Sequence, residues 1–380
     1  MGGIMKAIVE RADFTDAISS VTAVLPVRST QPILANVLLS ASGNNLTAVG
    51  TDKEQSLYVS IPAEVPVPGS FAVPAKKLGD ILREMDNGDV EIILDENHLS
   101  IIQGKRKIRL PGVPADEFPQ TDLLKSPQKP FQIEPDILLE LMNLTAYAIS
   151  TEITRMNLSG LLWQIFPNEM RMVATDGHKL ALVKKKMETD FSSPVELLIP
   201  ERAVTKLMGI LSKVHGETIS VTTGDGSIQF EMDSYRFQSK LITEKFPDYE
   251  RVLPTENDAI MIADTQELTQ AVKLMSVISS AITNLVKFSF SKGSLELFAS
   301  DLDAGTEGSS AISVDYEGEP FSIGFSSKML LDVLRHIPSE QVRFAMKDAT
   351  IACLVTPMPQ PEEYEYTTVI MPLRLNEYTS

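Results

Sequence analysis

LTAVGTD at residues 46–52 returns as MRMVATD at 170–176 and as LELFASD at 295–301. Each copy is an apolar strand that ends in Thr or Ser followed by Asp. The three aspartates, Asp52, Asp176 and Asp301, are 124 and 125 residues apart. Similarity at one nearly constant step indicates a repeated structural unit. The 380-residue chain is therefore predicted to hold three similar domains, at 1–126, 129–255 and 258–380.

Three further landmarks recur in the same order and predict the content of each repeat. An amphipathic stretch opens each repeat, a short apolar strand later runs into a second helix, and a Phe-Pro pair closes the first two. Pro74 and Pro200 are expected in the first turn of the second helix, where a missing N–H costs nothing. The remainder alternates as strands do. The pattern favours an α+β fold in which each domain packs two helices on one face of an antiparallel sheet. The opening stretches are 14–25, 137–148 and 268–278, and the second helices are 78–85, 204–211 and 329–337.

Charge is distributed unevenly along the chain. The net charge is −17, from 34 basic and 51 acidic residues, which argues against tight binding of nucleic acid. The windows around the second helices reverse this balance, with eight basic residues against four acidic ones. They form either a positive stripe that faces phosphates or a set of solvated helix faces. The basic residues are Lys76, Lys77, Arg83, Arg202, Lys206, Lys213, Lys328 and Arg335. The run 184–186 is interpreted as a strand-end loop.

Catalytic and metal motifs are missing from the sequence. No Walker loop, dinucleotide fingerprint, HExxH or GxSxG is present, and the four histidines lack metal-ligand spacing. Asp176 and His178 suggest one general-base pair, and an enzyme that uses them is one hypothesis. Asp52 and Asp301, however, occupy the same place in repeats without that histidine. Asp176 is therefore predicted to be a turn residue that accepts backbone N–H groups, and the chain to be a binding scaffold without cofactors.

The remaining features predict a cytoplasmic protein with a binding edge near the C-terminus. No apolar run suits a membrane span or a signal peptide, and the single cysteine, Cys353, is expected in a buried strand. The apolar string 369–375 contains Met, Leu and one Arg. It is either a last core strand or a groove for the apolar anchors of a peptide, and these two interpretations are compatible.

Four longer strings resemble the bacterial DNA polymerase sliding clamps, the beta subunits of the replicative polymerase. They are RSTQPIL at 28–34, ATDGHKLA at 174–181, FPDY at 246–249 followed by RVLP at 251–254, and VIMPLRL at 369–375. The resemblance spans almost the whole chain. It implies a head-to-tail homodimer whose six domains close a ring around duplex DNA, without sequence readout. A scaffold of three repeats that binds only other proteins remains the alternative.

The resemblance also implies the partners and the site residues. The partners are duplex DNA, the replicative polymerase, the clamp loader and other proteins with short clamp-binding motifs. The implied motif pocket consists of Leu158, Thr175, Gly177, His178, Lys179, Leu180, Pro247, Arg251, Val252, Ser326, Met329, Val369, Ile370, Met371, Pro372, Leu373, Arg374 and Leu375. The residues expected to face DNA are Arg28, Lys76, Lys77, Arg202 and Lys206, and the dimer seam is expected to join Ile108 and Leu110 to Val277 and Ile278.

Two departures from the family pattern bear on that pocket. Lys179 stands where well-known members carry Arg, so the planar fork that bonds bidentately is lost and motif preference is expected to change. Five residues, 376–380, follow Leu375, where many relatives stop. These residues are expected either to cover part of the pocket or to be disordered.

Overall fold

The computed structural model describes residues 5–26, 28–95, 97–152, 154–189, 191–214 and 218–375. His215 and the tail 376–380 lie outside the described residues. Within the described residues there are six α-helices and 27 strands, and all of the strand pairs are antiparallel. The predicted α+β class with two helices in each repeat is confirmed.

The first repeat runs from β1 to β10. Its helices are α1 (Arg11–Thr22) and α2 (Ala75–Arg83). Its strands are β1 (Met5–Glu10), β2 (Asn36–Ser42), β3 (Asn45–Thr51), β4 (Gln55–Pro62), β5 (Glu64–Val67), β6 (Gly69–Pro74), β7 (Asp89–Asp95), β8 (His98–Gln103), β9 (Arg106–Pro111) and β10 (Val113–Pro114).

The second repeat runs from β11 to β18. Its helices are α3 (Pro135–Thr145) and α4 (Glu201–Leu211). Its strands are β11 (Phe131–Ile133), β12 (Gly160–Phe166), β13 (Glu169–Thr175), β14 (Lys179–Lys186), β15 (Val195–Pro200), β16 (Ile219–Gly224), β17 (Ser227–Met232) and β18 (Tyr235–Lys240).

The third repeat runs from β19 to β27. Its helices are α5 (Thr265–Ile278) and α6 (Ser327–Leu334). Its strands are β19 (Ala259–Asp264), β20 (Leu285–Ser291), β21 (Ser294–Asp301), β22 (Thr306–Ser313), β23 (Asp315–Tyr316), β24 (Phe321–Ser326), β25 (Gln341–Met346), β26 (Cys353–Met358) and β27 (Glu365–Ile370).

The chain folds into two compact units, each with two sheets. The first unit comprises residues 1–139 and 202–241, and the second comprises 140–201 and 242–380. The first unit holds a five-stranded sheet, β5-β1-β7-β8-β9, and a nine-stranded sheet, β10-β6-β2-β3-β4-β18-β17-β16-β11. The second unit holds a nine-stranded sheet, β15-β12-β13-β14-β27-β26-β25-β19-β23, and a four-stranded sheet, β22-β21-β20-β24. Each nine-stranded sheet therefore joins strands of two successive repeats. The predicted domain limits stay a prediction.

Alternating apolar residues explain how the sheets and helices pack. β1 and β2 bury every second residue, which is the pattern of a strand with one face on the core. On α1, the buried residues Phe14, Ala17, Ile18 and Val21 recur at three- and four-residue steps, and this helix packs on β3 and β4. Helix α5 buries Leu268, Ala271, Val272 and Met275 in the same way.

Local details correct three expectations. Pro74 and Pro200 end strands β6 and β15, and the helices begin at the next residue, so neither proline lies within the first turn. The opening helices begin about three residues earlier than predicted, since the apolar pattern cannot show polar residues of the first turn. The run 184–186 is the end of β14 and not a loop, because its backbone pairs with β13 throughout and Lys184 lies opposite Glu365 of β27. Lys184 and Lys185 also form ion pairs with Glu365 and Glu363.

Candidate functional site

The loop between β13 and β14 is a tight turn held by its own side chains. The carboxylate Oδ1 of Asp176 accepts the backbone N–H groups of His178 and Lys179, both at 2.8 Å. Thr175 Oγ1 accepts the N–H of Gly177 at 3.1 Å and donates to the Lys179 carbonyl at 2.7 Å. Gly177 has a φ of +88°, which favours glycine. The turn thus presents Gly177 and His178 to solvent in a fixed conformation.

Equivalent turns in the other repeats confirm that the aspartate is a turn residue. Asp52 Oδ1 accepts the N–H groups of Glu54 and Gln55, and Asp301 Oδ1 accepts those of Asp303 and Ala304. Burial raises the pKa of Asp176, but the hydrogen bonds from Lys179 and from two backbone N–H groups lower it further, so the net shift is downward. A carboxylate with a lowered pKa is a weak base. The turn is therefore poorly suited to general-base catalysis.

Lys179 lies between two carboxylates. Its Nζ is 2.8 Å from Asp176 Oδ2 and 3.8 Å from Asp332 Oδ2, which lies on α6. The side chain is only 11% exposed. The ammonium charge is therefore balanced within the fold and does not project as a free cation toward a bound peptide.

The C-terminal strand extends the sheet beside this turn and then crosses to a neighbouring strand. β14 pairs with β27 so that Lys179 lies opposite Ile370 and Leu180 opposite Val369. Met371 N–H donates to the His178 carbonyl at 2.8 Å, and Leu373 N–H donates to the Gly324 carbonyl of β24 at 2.7 Å. The string 369–375 is thus both a last core strand, with Val369 and Ile370 buried, and an exposed edge, with Met371 41% exposed.

Ser326, at the end of β24, accepts the Met329 N–H at 3.5 Å and caps α6. Ser326 is buried and Met329 is half-buried. Ser326 is the last residue of β24, the strand that Leu373 joins, and Met329 lies in the first turn of α6. The crossing of the C-terminal strand and the approach of Asp332 to Lys179 therefore bring α6 next to the turn.

An apolar cluster lies beneath these polar groups. It consists of Leu158, Leu162, Val173, Leu180, Leu182, Leu198, Phe246, Tyr249 and Val369. Three of the predicted pocket residues, Leu158, Leu180 and Val369, are among its members. The half-buried residues Ile242, Leu253, Ala352 and Leu354 pack against it. Predicted pocket residues from three distant stretches therefore share one apolar base.

The segment after β18 is anchored to the sheet by Tyr249. Its hydroxyl donates to Gln164 at 2.8 Å, and Arg171 donates to that hydroxyl at 3.3 Å and to Glu250 at 2.7 Å. The next residues are exposed: Arg251 pairs with Asp248 at 2.8 Å, and Val252 is 57% exposed. Pro247 is exposed as well. The anchored segment holds its apolar and cationic side chains at the surface, beside the apolar cluster.

No pattern in the sequence marks Arg155 and Met156 as part of this surface. Arg155 Nη1 donates to the Asp176 carbonyl at 3.4 Å, and Met156 is 55% exposed. Neither repeats in the other two domains, and neither lies in a string that resembles the family. Their position could be found only from the fold, which brings the stretch before β12 next to the turn.

The basic residues expected to face DNA are mostly exposed. Arg28, Lys76, Lys77 and Arg202 are exposed, and Lys206 is half-buried. Arg202 is 3.4 Å from Asp52, whose side chain is only 5% exposed, so part of its charge is balanced. Within the described part of the chain, neither Lys76 nor Lys77 forms an ion pair. Arg28 and Lys206 form none there either, so Arg202 is the member of the set whose charge is partly balanced.

The residues expected at the dimer seam lie at two sheet edges. β9, with Ile108 half-buried and Leu110 4% exposed, is an edge of the five-stranded sheet. β22 is an edge of the four-stranded sheet, and α5 ends beside it: Thr306 Oγ1 donates to the Ile278 carbonyl at 3.3 Å. Val277 is 84% exposed. Of the four residues, Leu110 is already covered within one copy, and Val277 is the most accessible.

The described residues give little support for a metal site, a reactive thiol or a membrane-spanning helix. They contain no cluster of three or more His, Cys, Asp or Glu side chains that could hold a metal ion. Cys353 lies in β26 and is fully buried, as predicted, and burial raises the pKa of its thiol. None of the helices in these ranges has the length and apolar content needed to span a bilayer.

Sequence comparison identifies one family over nearly the whole chain. The DNA polymerase III beta subunit family matches through its N-terminal domain at residues 5–122, its central domain at 132–248 and its C-terminal domain at 250–374. The beta sliding clamp of Pseudomonas putida is 32% identical over 374 residues, which cover 98% of this chain and all of the relative. The beta sliding clamp of Caulobacter vibrioides is 33% identical over 381 residues, with the same coverage.

Solved structures give the same result for the fold. The DNA polymerase III subunit beta of Pseudomonas aeruginosa is similar with a TM-score of 0.92 at 30% identity, over 98% of this chain and all of that one. The beta sliding clamp of C. crescentus is similar with a TM-score of 0.93 at 31% identity, over 99% of this chain and all of that one. One similar structure, a P. aeruginosa sliding clamp, has griselimycin bound.

Proposed function

Since the chain belongs to the family of bacterial DNA polymerase III beta subunits, the beta sliding clamps, we propose that it closes a head-to-tail ring around duplex DNA. It is a DNA sliding clamp, a processivity factor without chemistry of its own, and DNA and the polymerase are its partners. The predictions of a sliding clamp and of a protein that is not an enzyme are confirmed by this membership. The proposal concerns how the ring closes, what faces the DNA and where partners dock.

The strand orders support closure between β9 of one copy and β22 of another. Each nine-stranded sheet consists of five strands from one repeat and four from its neighbour, joined by β4 with β18 or by β14 with β27. The two smaller sheets have five and four strands, and their edges β9 and β22 are the counterparts of those joining strands. Pairing β9 with β22 of a second copy would complete a third sheet of nine strands. A head-to-tail contact of this kind is heterologous, and two such contacts close a dimer.

The internal joints also predict the register of the seam. Phe237 of β18 lies opposite Leu57 of β4, and the corresponding residues of the seam are Ile108 and Gly308. An ideal Cβ on Gly308 would lie 2.7 Å from Ile278 Cδ1, so Ile278 covers that strand at the point where Ile108 would arrive. This packing supports Ile108 and Ile278 as seam residues, with Leu110 and Val277 beside them.

The distribution of charge supports a ring whose interior encloses DNA without binding it tightly. Lys76 and Lys77, with Arg28, Arg202 and Lys206, are proposed to face the phosphates. The net charge of −17 leaves the rest of the protein acidic, so duplex DNA is repelled elsewhere. A ring that encloses DNA needs little affinity, and tight phosphate contacts would slow its sliding.

The surface beside the turn is proposed to bind short motifs of the polymerase, the clamp loader and other partners. Exposed apolar side chains, Val252 and Met371, lie above the cluster that contains Leu158, Leu180 and Val369. The turn adds the exposed side chain of His178 and the exposed backbone of Gly177. Apolar anchors of an extended peptide with flanking hydrogen bonds suit such a surface. The remaining predicted residues, from Ser326 and Met329 to 369–375, border it.

The domain limits and the location are part of the same proposal. We take 1–126, 129–255 and 258–380 as the three clamp domains, because the family's three domains match at 5–122, 132–248 and 250–374 and so follow the same three-part division. The cytoplasm is the proposed location, since a partner of the replicative polymerase acts where bacterial DNA is copied.

The observation that carries the proposal is the match of all three family domains together with the two complementary sheet edges. The test is retention on nicked circular duplex DNA after loading by a clamp loader. We expect the protein to stay on the circle during gel filtration and to be released when one restriction cut linearises it. A scaffold that binds only proteins would not be retained, and a protein that grips DNA directly would remain after the cut. Either result contradicts the proposal.

A further inference from the structure

Each strand that joins two repeats within the chain forms one hydrogen bond beyond the last residue pair of its ladder. At the joint of β4 with β18, Lys240 N–H donates to the Glu54 carbonyl at 2.9 Å. At the joint of β14 with β27, Met371 N–H donates to the His178 carbonyl at 2.8 Å. Both acceptors lie in the aspartate turn of the preceding repeat. We call this hydrogen bond the closing bond of a joint.

The turn supplies only a carbonyl to the closing bond. Asp52 Oδ1 accepts the N–H of Glu54 at 2.9 Å, and Asp176 Oδ1 accepts that of His178 at 2.8 Å. Residues opposite each other at such a position of an antiparallel ladder normally exchange two hydrogen bonds, and here the donor of the turn is already in use. The closing bond therefore depends on an N–H from the joining strand.

The proposed seam register identifies the residues that correspond to this donor and acceptor. In the joint of β4 with β18, the closing bond lies three positions along the ladder from the pair that corresponds to Ile108 and Gly308. The same count at the seam leads to Pro111 of one copy and Gly305 of the other. Gly305 ends the aspartate turn of the third repeat, directly before β22. Pro111 therefore holds the place of the donor.

The return of each joining strand to its own repeat supports this alignment. Two residues after the closing bond, the N–H of each internal strand donates to a carbonyl of a neighbouring strand in its own repeat, at 2.9 and 2.7 Å. Val113, two residues after Pro111, pairs with Ala72 of β6. The two internal donors are Ile242 and Leu373, and the partners in the three repeats, Ala72, Leu198 and Gly324, recur at a constant step of 126 residues. The position of Pro111 is thus fixed from both directions along the strand.

The backbone nitrogen of Pro111 faces the open edge of its sheet. Gly112 N–H donates to the Asn97 carbonyl at 3.2 Å, on the side of β8. Because successive residues of a strand direct their backbone groups to opposite sides, the nitrogen of Pro111 points away from β8 and toward the incoming β22. Proline is tolerated at such an edge position, since no ladder bond within the copy is lost. Only the contact with a second copy is affected.

Proline has no backbone N–H, so Pro111 cannot form a closing bond. We propose that each seam lacks this bond and that Pro111 thereby makes the seam easier to open beside the aspartate turn of the third repeat. A ring has to open to admit DNA, and its internal joints are also linked by the continuous chain. The missing bond weakens one end of the seam and leaves the apolar contact of Ile108 with Ile278 intact. This inference rests on the proposed pairing of β9 with β22.

Pro111→Ala supplies the missing N–H in the full-length protein. The dimer dissociation constant is expected to fall about tenfold, roughly threefold for each of two seams, because each seam gains one net hydrogen bond. Sedimentation velocity with fluorescence detection at nanomolar concentration measures this constant. The half-life of the loaded protein on nicked circular DNA should lengthen about threefold, since opening of one seam is enough for release. Pro111→Ser adds the same N–H and should shift both quantities in the same direction.

Two controls separate the new hydrogen bond from the loss of a proline ring. Pro114→Ala removes a proline from β10, outside the proposed seam, and should leave the dissociation constant and the half-life unchanged. Hydrogen exchange follows the new amide itself. The N–H of residue 111 in Pro111→Ala should be protected in the dimer, and it should exchange faster when Ile278→Asp is added to give monomers.

An unchanged or weaker dimer in both Pro111→Ala and Pro111→Ser would overturn the proposal, as would an amide at position 111 that exchanges equally fast in dimer and monomer. If the unaltered protein is retained on nicked circles and these variants behave like it, the clamp function stands and only the role of Pro111 is refuted. If the unaltered protein forms no dimer, the proposed ring and this inference both fail.

Discussion

At the scale of single residues, one aspartate position has the same task in all three repeats. Asp52, Asp176 and Asp301 each accept two backbone N–H groups in the turn that follows the repeated strand. In the middle turn the aspartate also pairs with the Lys179 ammonium group, and exposed Gly177 and His178 adjoin the C-terminal strand. The binding role that we propose for the middle turn is therefore added to a structural feature that all three repeats share.

Replacing Asp176 by alanine should destabilise the protein by about 1–2 kcal/mol, because two backbone donors and the Lys179 ammonium lose their acceptor. The folded pKa of Asp176 is lowered, so its contribution is present above the ordinary carboxyl pKa and is lost as the pH falls through the folded value. Urea unfolding at pH 7 and at about pH 3 should show a smaller difference at the lower pH. Asp233→Ala, an exposed control, should change little, and an equal loss of stability in both variants would refute the turn's role.

At the scale of secondary structure elements, the sequence predicts what lies within a repeat far better than what joins two repeats. The period of Asp52, Asp176 and Asp301 predicts three copies, and the apolar spacing predicts six helices, because both signals are local. Pairing of β4 with β18, or of β14 with β27, depends on strands more than 170 residues apart and leaves no local pattern. Arg155 was missed for the same reason, whereas the pocket strings were found because they resemble a family.

The seam register predicts a charge pair that can be exchanged. By analogy with Gln238 and Ser56, Arg109 of one copy should lie opposite Glu307 of the other. Arg109→Glu alone should raise the dimer dissociation constant roughly a hundredfold, about tenfold at each of two seams, since like charges directly opposite repel. Sedimentation velocity measures the shift.

The double variant Arg109→Glu with Glu307→Arg restores the pairing and should recover most of the dimer. Ile278→Asp, which places a charge in the apolar part of the seam, should give monomers that no second charge rescues. A double variant as weak as Arg109→Glu would show that the register, and with it the proposed pairing of β9 with β22, is wrong.

At the scale of the whole molecule, an acidic protein that encloses DNA must be retained by closure of its ring and not by affinity for the phosphates. The net charge of −17 is expected to repel the duplex, and we propose that the two exposed lysines on α2, Lys76 and Lys77, offset this repulsion locally. Affinity for a short linear duplex then measures the contribution of Lys76 and Lys77. Retention on nicked circular DNA measures whether the ring is closed. The two quantities should respond differently to salt and to mutation, because only the first depends on released counterions.

The double variant Lys76→Glu with Lys77→Glu separates affinity for a short duplex from retention on circular DNA. Its binding to a short linear duplex should weaken strongly, and the slope of log affinity against log salt should fall by about two, one for each lysine that no longer neutralises a phosphate. Once loaded, retention on nicked circular DNA should change little at a salt concentration that abolishes binding of the short duplex. Lys292→Glu with Lys347→Glu is the matched control, since it changes the net charge equally at lysines paired with Glu317 and Glu256. If this control weakens duplex binding as much as the α2 variant does, the net charge and not α2 governs contact with DNA.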